Sequence, residues 1–246
     1  MHVLSQYKST IVALLNELET TQSNAMEAAA QLIADALIKK QAIFAFGASH
    51  AGILSMELFY RAGGMVPVNP IFDPGLLLDV RPVLKTTDNE RLPGYGNIIF
   101  KHCAAKAGDV VIVHSVSGRN PVNIDFALSA QAAGLKVIVI TNLNYTNAVS
   151  SRHSSGKKLK DCADVVIDNV GVIEDASQSI PGLAQKMGPT STIIGAFIVN
   201  TLMMRVAELM LNAGVEVPVF HSANLDGGDA HNQKVLKDYK EQIFYQ

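Results

Sequence analysis

Cysteine is nearly absent from these 246 residues, and the two that occur, Cys103 and Cys162, fall in separate segments with neither C-x-x-C nor His-Cys metal spacing. That argues against a disulfide framework and a zinc knuckle, and both are read as reduced thiols. Charge is also scarce, at 17% of residues, and the formal net charge is −2. The chain as a whole therefore offers no electrostatic footprint for nucleic acid. No unbroken apolar run reaches the roughly 18 residues of a membrane-spanning helix, and the opening MHVLSQYKSTIVALLNELE holds no apolar stretch long enough for a signal peptide. The expectation is a soluble cytoplasmic protein without a membrane partner. A Walker lysine pattern and a G-x-G-x-x-G turn are both missing, so nucleotide binding is not the first reading. What is abundant is apolar. A hydrophobic content of 48% can bury a full core as one α/β unit over 1–246, with helices ahead of it at about 1–40 and a tail at about 215–246.

Periodicity sets the elements. From about residue 5 to 39, apolar positions recur at helical spacing (Leu14, Leu15, Leu18, then Ala29, Leu32, Ile33, Ala36, Leu37), which predicts two helices with a break near 20–24. Short apolar runs at 42–46, 66–68, 110–114, 136–141 and 164–167 predict five buried strands. Helices are expected at 50–62, 98–106, 122–133 and 191–212, the last apolar almost all round and so bound for burial. Between the second strand and the helix at 98 lies a Pro- and Gly-punctuated stretch, 69–96, with Asp73-Pro-Gly75, Arg81-Pro82 and Leu92-Pro-Gly-Tyr-Gly96. So long an irregular segment predicts a lid or an interface. Short strands alternating with helices predict a parallel sheet covered on both faces.

One stretch carries the most chemistry: Val110-Val-Ile-Val-His-Ser-Val-Ser-Gly-Arg-Asn-Pro-Val-Asn123. A buried strand ends in a serine-glycine turn that opens directly into a helix, so Ser115, Ser117 and Asn120 gather where free N–H groups carry partial positive charge. That is a seat for a phosphate-sized anion. Arg119 adds a guanidinium suited to phosphate geometry, or is a solvated arginine at a helix start. In parallel sheets ligands bind beyond the carboxyl ends of the strands, and three such ends are decorated here: Gly47-Ala-Ser-His50, Ser115-Val-Ser-Gly-Arg-Asn120 and Thr141-Asn142.

These same residues carry a family resemblance. A first strand ending in Gly47-x-Ser49, a later one ending in Ser115-x-Ser-Gly118, a Val-Ile-Val-Ile-Thr141-Asn142 strand and Ala163-Asp-Val-Val166 resemble the SIS (sugar isomerase) domain, across roughly residues 27–211. The chain is most similar to stand-alone members of the phosphoheptose-isomerase type and to a group sharing the Gly-Pro-Thr-Ser and Gly-Gly-Asp-x-His-Asn signatures. The resemblance implies a flavodoxin-like three-layer αβα sandwich on a five-stranded parallel sheet, a sugar-phosphate ligand, and assembly as a homodimer or homotetramer. It implies that Ser115, Ser117, Gly118 and Asn120 hold the phosphate, with an amide at Asn120 where relatives have a hydroxyl. Gly47, Ser49 and His50 would line the sugar; Ser49 also reads as a plain N-cap for helix 50–62.

The implied reaction is aldose-ketose isomerisation of a sugar phosphate or amino-sugar phosphate, which needs a base to move a proton between adjacent carbons and an acid-base group to open the ring. Glu57, two helical turns past His50 and on its face, is the candidate base, against the plainer reading of an exposed pair with Arg61 at i,i+4. His231, beside Asp229 in Gly227-Gly-Asp-Ala-His-Asn232, is the candidate ring-opening group; similar proteins bring such a histidine from a C-terminal segment, often of a neighbouring subunit. The plainer reading is a capping turn. Thr190 and Ser191 serve as the N-cap of the long apolar helix or add a ligand contact there. No cofactor is expected, although Asp226, Asp229, His221 and His231 are the residues that would form a divalent-metal site. Alternatives are an etherase or lyase on a muramic-type sugar phosphate, and a non-catalytic phosphosugar sensor. No basic helix-turn-helix is evident in the first 40 residues, which argues against a DNA-binding regulator.

Overall fold

The computed structural model describes residues 2–246. Five parallel strands form the central sheet: β1 (Ile43–Gly47), β2 (Val68–Ile71), β3 (Val110–His114), β4 (Lys136–Thr141) and β5 (Val165–Asp168), in the order β2-β1-β3-β4-β5. β3 and β4 stand where their β-branched runs predict, and the bounds of the other three are shifted by one to three residues. Alternation sorts the side chains into two cores. Ile43, Ala45, Ile112, Ile138, Ile140 and Ile167 face α1 (His2–Ile38), α2 (Ile53–Leu58) and α7 (Ser191–Asn212). Phe44, Phe46, Val111, Val113, Val137 and Val139 face the opposite layer, which is built from α4 (Tyr95–Lys101) and α5 (Pro121–Ala132). The three-layer αβα sandwich is therefore as expected.

Four departures have physical reasons. α1 is one continuous helix with no break at 20–24, because the Thr20 and Thr21 hydroxyls donate to the Asn16 and Glu17 carbonyls at 3.0 and 2.7 Å. Hydroxyls bonded one turn back sit inside a helix instead of ending it. Helix α2 stops at Leu58, four residues short of expectation, since Tyr60 adopts a positive φ of 40°. The 69–96 stretch holds a helix of its own, α3 (Leu84–Arg91). A short antiparallel hairpin, β6 (Ala176–Gln178) with β7 (Met187–Pro189), precedes α7 where no strand was expected.

α7 is long and apolar enough to cross a membrane by length and composition, yet Ile194, Ile198, Leu202, Val206 and Met210 are buried in the first core. Packing on one face accounts for its apolar run. The C-terminal segment covers the edge of the sheet. Val66 N donates to Pro218 O at 2.8 Å and Tyr245 Oη to Val66 O at 2.7 Å. Buried Asn69 donates to the carbonyls of Ile43, Pro67 and Gln242 and accepts from Phe244 N. The C-terminal segment is thus anchored against the edge strand. This segment contains α8 (Gly228–Asp238).

Candidate functional site

Strand order reverses between β1 and β3, where Gly47 pairs with His114. The 47–50 and 115–120 turns leave the sheet at that point, and between them lies a cavity of about 230 Å³ lined by Ser49, His50, Glu90, Ser115, Ser117 and Asn120, among others. A doubly wound sheet places a ligand crevice at such a reversal.

The 115–120 turn is held from below by the end of β4. Thr141 Oγ1 donates to Ser115 O at 2.7 Å, Asn142 N to Val116 O at 3.0 Å, and Thr146 Oγ1 to Ser117 O at 3.0 Å. In a trans peptide the N–H points opposite the carbonyl, so the amides of Val116, Ser117 and Gly118 are directed away from β4, the last toward Ser115 Oγ at 3.3 Å, while Ser115 N itself donates to Ile140 O on β4. Gly118, at φ 58°, fits because a side chain there would press on the Thr146 and Thr141 hydroxyls at 3.2 and 3.3 Å. Pro121 starts α5, and Asn120 does not cap it with its side chain. The first N–H groups of α5 are left for another acceptor. Beside them Asn123 is 2% exposed, and its amide oxygen has no partner among the described residues. A buried amide left so is costly unless a ligand pairs with it.

Ser49 is not an N-cap. It begins a 3₁₀ turn (Ser49–Gly52) at φ 52°, and its hydroxyl donates to Glu90 Oε1. Glu90 Oε2 accepts from Asn120 Nδ2 at 2.7 Å, so one carboxylate from α3 bridges both turns across the cavity. Gly47 permits this closeness, since a Cβ there would stand 2.6 Å from the Ala51 backbone. His114 ties the turns together from beneath: its Nδ1 lies 3.0 Å from Ala51 O. Burial pushes the His114 ring below its ordinary value, so the neutral form is favoured, with its proton on the nitrogen facing that carbonyl.

Other candidates stand apart from this cavity. Glu57 pairs with Arg61, accepts from Asn200 Nδ2 at 2.8 Å, and lines a separate cleft of about 300 Å³ with Met65 and Met203. The short α2 turns its side chain toward α7 and away from the serines. The expected i,i+4 pair with Arg61 is present. His231 stacks on His221 with ring centroids 3.5 Å apart and lies 3.0 Å through Nε2 from Val219 O. Among the described residues no three His, Cys, Asp or Glu side chains converge as a metal set, so Asp226, Asp229, His221 and His231 do not form one within the chain. Thr190 and Ser191 do not line the cavity. The Asp175 carboxylate already accepts from Thr190 N, Ser191 N and both hydroxyls, and a carboxylate at a helix N-terminus satisfies the donors a ligand would otherwise find. The Arg119 guanidinium donates to Ser150 Oγ at 3.2 Å, outside the cavity lining.

Glu90, Asn123, Tyr145 and Asp175 line the cavity without having been singled out in the sequence. Glu90 sits 41 residues from Ser49 and 30 from Asn120. Its one sequence signal is that it falls in the long irregular stretch expected to act as a lid or an interface.

A family model described as SIS domain matches residues 6–142. The chain is 46% identical over 245 residues to a UPF0309 protein of Shouchella clausii and 44% identical over 245 residues to one of Oceanobacillus iheyensis, in each case covering 100% of both chains. Among solved structures it is similar to a phosphoheptose isomerase from Francisella tularensis, with a TM-score of 0.56 at 15% identity over 84% of this chain and 97% of that one. A phosphoheptose isomerase from Neisseria gonorrhoeae gives 0.54 at 15% identity over 85% and 97%. At such identities the likeness speaks to fold alone.

Proposed function

We infer that this chain, which belongs to the SIS domain family, binds a sugar phosphate at the turns beyond β1 and β3 and interconverts its aldose and ketose forms. The observation that carries the reading is the seat itself: the Val116 and Ser117 amides turned from β4, an α5 N-terminus without a side-chain cap, and a buried Asn123 amide oxygen without a partner, all at one cavity. A phosphate dianion suits the first two, and a sugar hydroxyl suits the third. Phosphoheptose isomerases share the fold, and the proposed isomerisation rests on the donors and the carboxylate that line the cavity.

Glu90 is the base in this reading. Its carboxylate is held in the cavity by a hydroxyl and an amide and has no cationic partner among the described residues. It takes the proton from the carbon beside the carbonyl and returns it to the former carbonyl carbon, while the hydroxyl proton passes from the alcohol oxygen to the former carbonyl oxygen and the Ser49 hydroxyl steadies the oxygen that gains charge between the two steps. Isomerisation leaves the overall oxidation state unchanged, so the reading calls for no redox cofactor. Ring opening needs a second acid-base group. His50 lines the cavity, whereas His231 would serve it only from another copy in a homodimer or homotetramer.

The test is a thermal-shift screen of sugar phosphates followed by NMR observation of each hit for turnover. Stabilisation with conversion between aldose and ketose is the expected result. Stabilisation without any turnover would make the chain a sensor, loss of an ether-linked group would make it an etherase, and no stabilisation by any sugar phosphate would overturn the reading.

A further inference from the structure

The residues between α6 (Leu143–Ala148) and the 3₁₀ turn Leu159–Cys162 have no regular structure, yet they are bonded along their length. Arg152 N donates to Arg119 O at 2.9 Å and Leu159 N to Gly118 O at 2.8 Å, which fastens both ends of the segment to the 115–120 turn. Within it, Ser151 Oγ donates to Lys157 O at 2.6 Å and accepts from His153 N at 3.0 Å. Outward from it, His153 Nε2 lies 3.0 Å from Asp125 Oδ1, with both side chains about nine-tenths buried. Ser155 N donates to His153 Nδ1 at 3.1 Å, so that nitrogen bears the lone pair and Nε2 carries the hydrogen toward Asp125. The other Asp125 oxygen accepts from Gly94 N at 2.7 Å. Helix α5, the 69–96 stretch and the segment therefore meet on one carboxylate.

This bracing brings Arg152, itself outside the lining, against Asn120, which lines the cavity. Its Nη1 donates to Asn120 Oδ1 at 2.9 Å, and the same Asn120 amide donates to Glu90. Burial, then the nearby guanidiniums of Arg119 and Arg91, pull Arg152 below the ordinary arginine value. Among the described residues none of these three arginines has a carboxylate within ion-pair distance. Like charges gathered beside an amide-rich turn are relieved when an anion joins them. The family match ends at residue 142, so the segment lies beyond what it describes.

We propose that Arg152 is a phosphate-reading residue: its guanidinium passes from Asn120 to the oxygens of a phosphomonoester seated on the 115–120 turn. The 150–158 segment is the clasp that holds it there, with His153 and Asp125 as the positioning pair. The proposal rests on the sugar-phosphate reading above. A guanidinium presents paired donors that match two phosphate oxygens, which an ammonium does not.

The probes are inorganic phosphate and ribose 5-phosphate, followed by ³¹P NMR titration of the full chain. Arg152→Ala should weaken binding of both by about tenfold or more while the melting temperature of the unliganded protein stays close to that of wild type. Millimolar guanidinium should restore part of the lost affinity, and Arg152→Lys should restore less. His153→Gln should weaken binding to a smaller degree and should add nothing in the Arg152→Ala background, because its effect runs through Arg152. Equal binding by wild type and Arg152→Ala overturns the proposal and leaves the sugar-phosphate reading standing, as does a His153 effect that persists undiminished without Arg152. Failure of wild type to bind either probe or any sugar phosphate in the screen overturns both.

Discussion

Glu57 and Glu90 are two glutamates on two short helices, and they meet opposite surroundings. Glu57 faces a cleft of methionines and small residues, paired with Arg61 and bonded to Asn200. Glu90 faces serines and asparagines and is held by one hydroxyl and one amide. The Glu57 carboxylate is engaged in an ion pair outside the cavity, whereas that of Glu90 lines the cavity where a substrate would sit. The difference teaches that helix position alone does not select a base; what the side chain meets after folding does.

Substitution can break that comparison outright. Glu90→Gln is expected to lower kcat by about 10²-fold or more, the usual contribution of a general base, with ligand affinity kept within a few fold. Glu57→Gln is expected to change kcat by less than about threefold on the same argument. Turnover followed by NMR on the best ligand of the screen reads both, and the reverse pattern would hand the base to Glu57.

Binding sharpens it next. Ser117→Ala removes a hydroxyl from the cavity lining while leaving the Ser117 carbonyl on Thr146. Affinity for the sugar phosphate should drop by about tenfold, the worth of one hydrogen bond to a charged group, as read by calorimetry. A matching loss from Arg61→Ala would mean that the methionine cleft also holds ligand.

Acid should separate the regions by stability. Folding keeps His114 below its ordinary value of 6.5, so below that pH the unfolded chain takes up a proton that the folded chain resists. Stability contributed by this group is whole above pH 6.5 and is lost as pH falls toward the folded value. His114→Asn, whose amide can still reach Ala51 O, should show a shallower fall in melting temperature through this window than wild type. An unchanged slope would remove His114 from the account.

The smallest effect is expected in the methionine cleft. Arg61→Ala deletes an exposed i,i+4 pair worth about 0.3–0.5 kcal/mol, which for a chain of this length is about 1–2 °C in melting temperature. A larger loss would show that the pair organises the turn at Gly63 and Gly64 beneath the C-terminal segment.

These contrasts also mark what a sequence can disclose. β3 and β4 were legible to the residue because runs such as Val137-Ile-Val-Ile140 have one use in a parallel sheet. Ser49, His50, Ser115, Ser117 and Asn120 were legible as a group because they sit directly at strand ends, where topology dictates the neighbours. Glu90, Asp175 and Arg152 were not, since Glu90 comes from a short helix inside a stretch that reads as irregular and the other two from segments without regular structure, and the path of each depends on contacts tens of residues away. Thr190 and Ser191 have the composition of a binding turn, and nothing local announces that Asp175, with its unusual φ of 66°, occupies it first. The unbroken α1 was hidden because hydroxyls that end one helix sit comfortably inside another.

The reversal of strand order has a consequence for the lifetime of the molecule. Residues from 49 to 175 meet around one cavity, so that cavity exists only once the β1, β2, β3, β4 and β5 crossovers are all in place. A ligand spanning them binds the complete fold and none of its parts. At a hundred times its dissociation constant such a ligand adds about 2.7 kcal/mol, roughly 5–10 °C in a chain of this size. Proteases that act on opened chains would then meet fewer of them, and supply of the sugar phosphate would govern how long the protein persists as well as how fast it turns over.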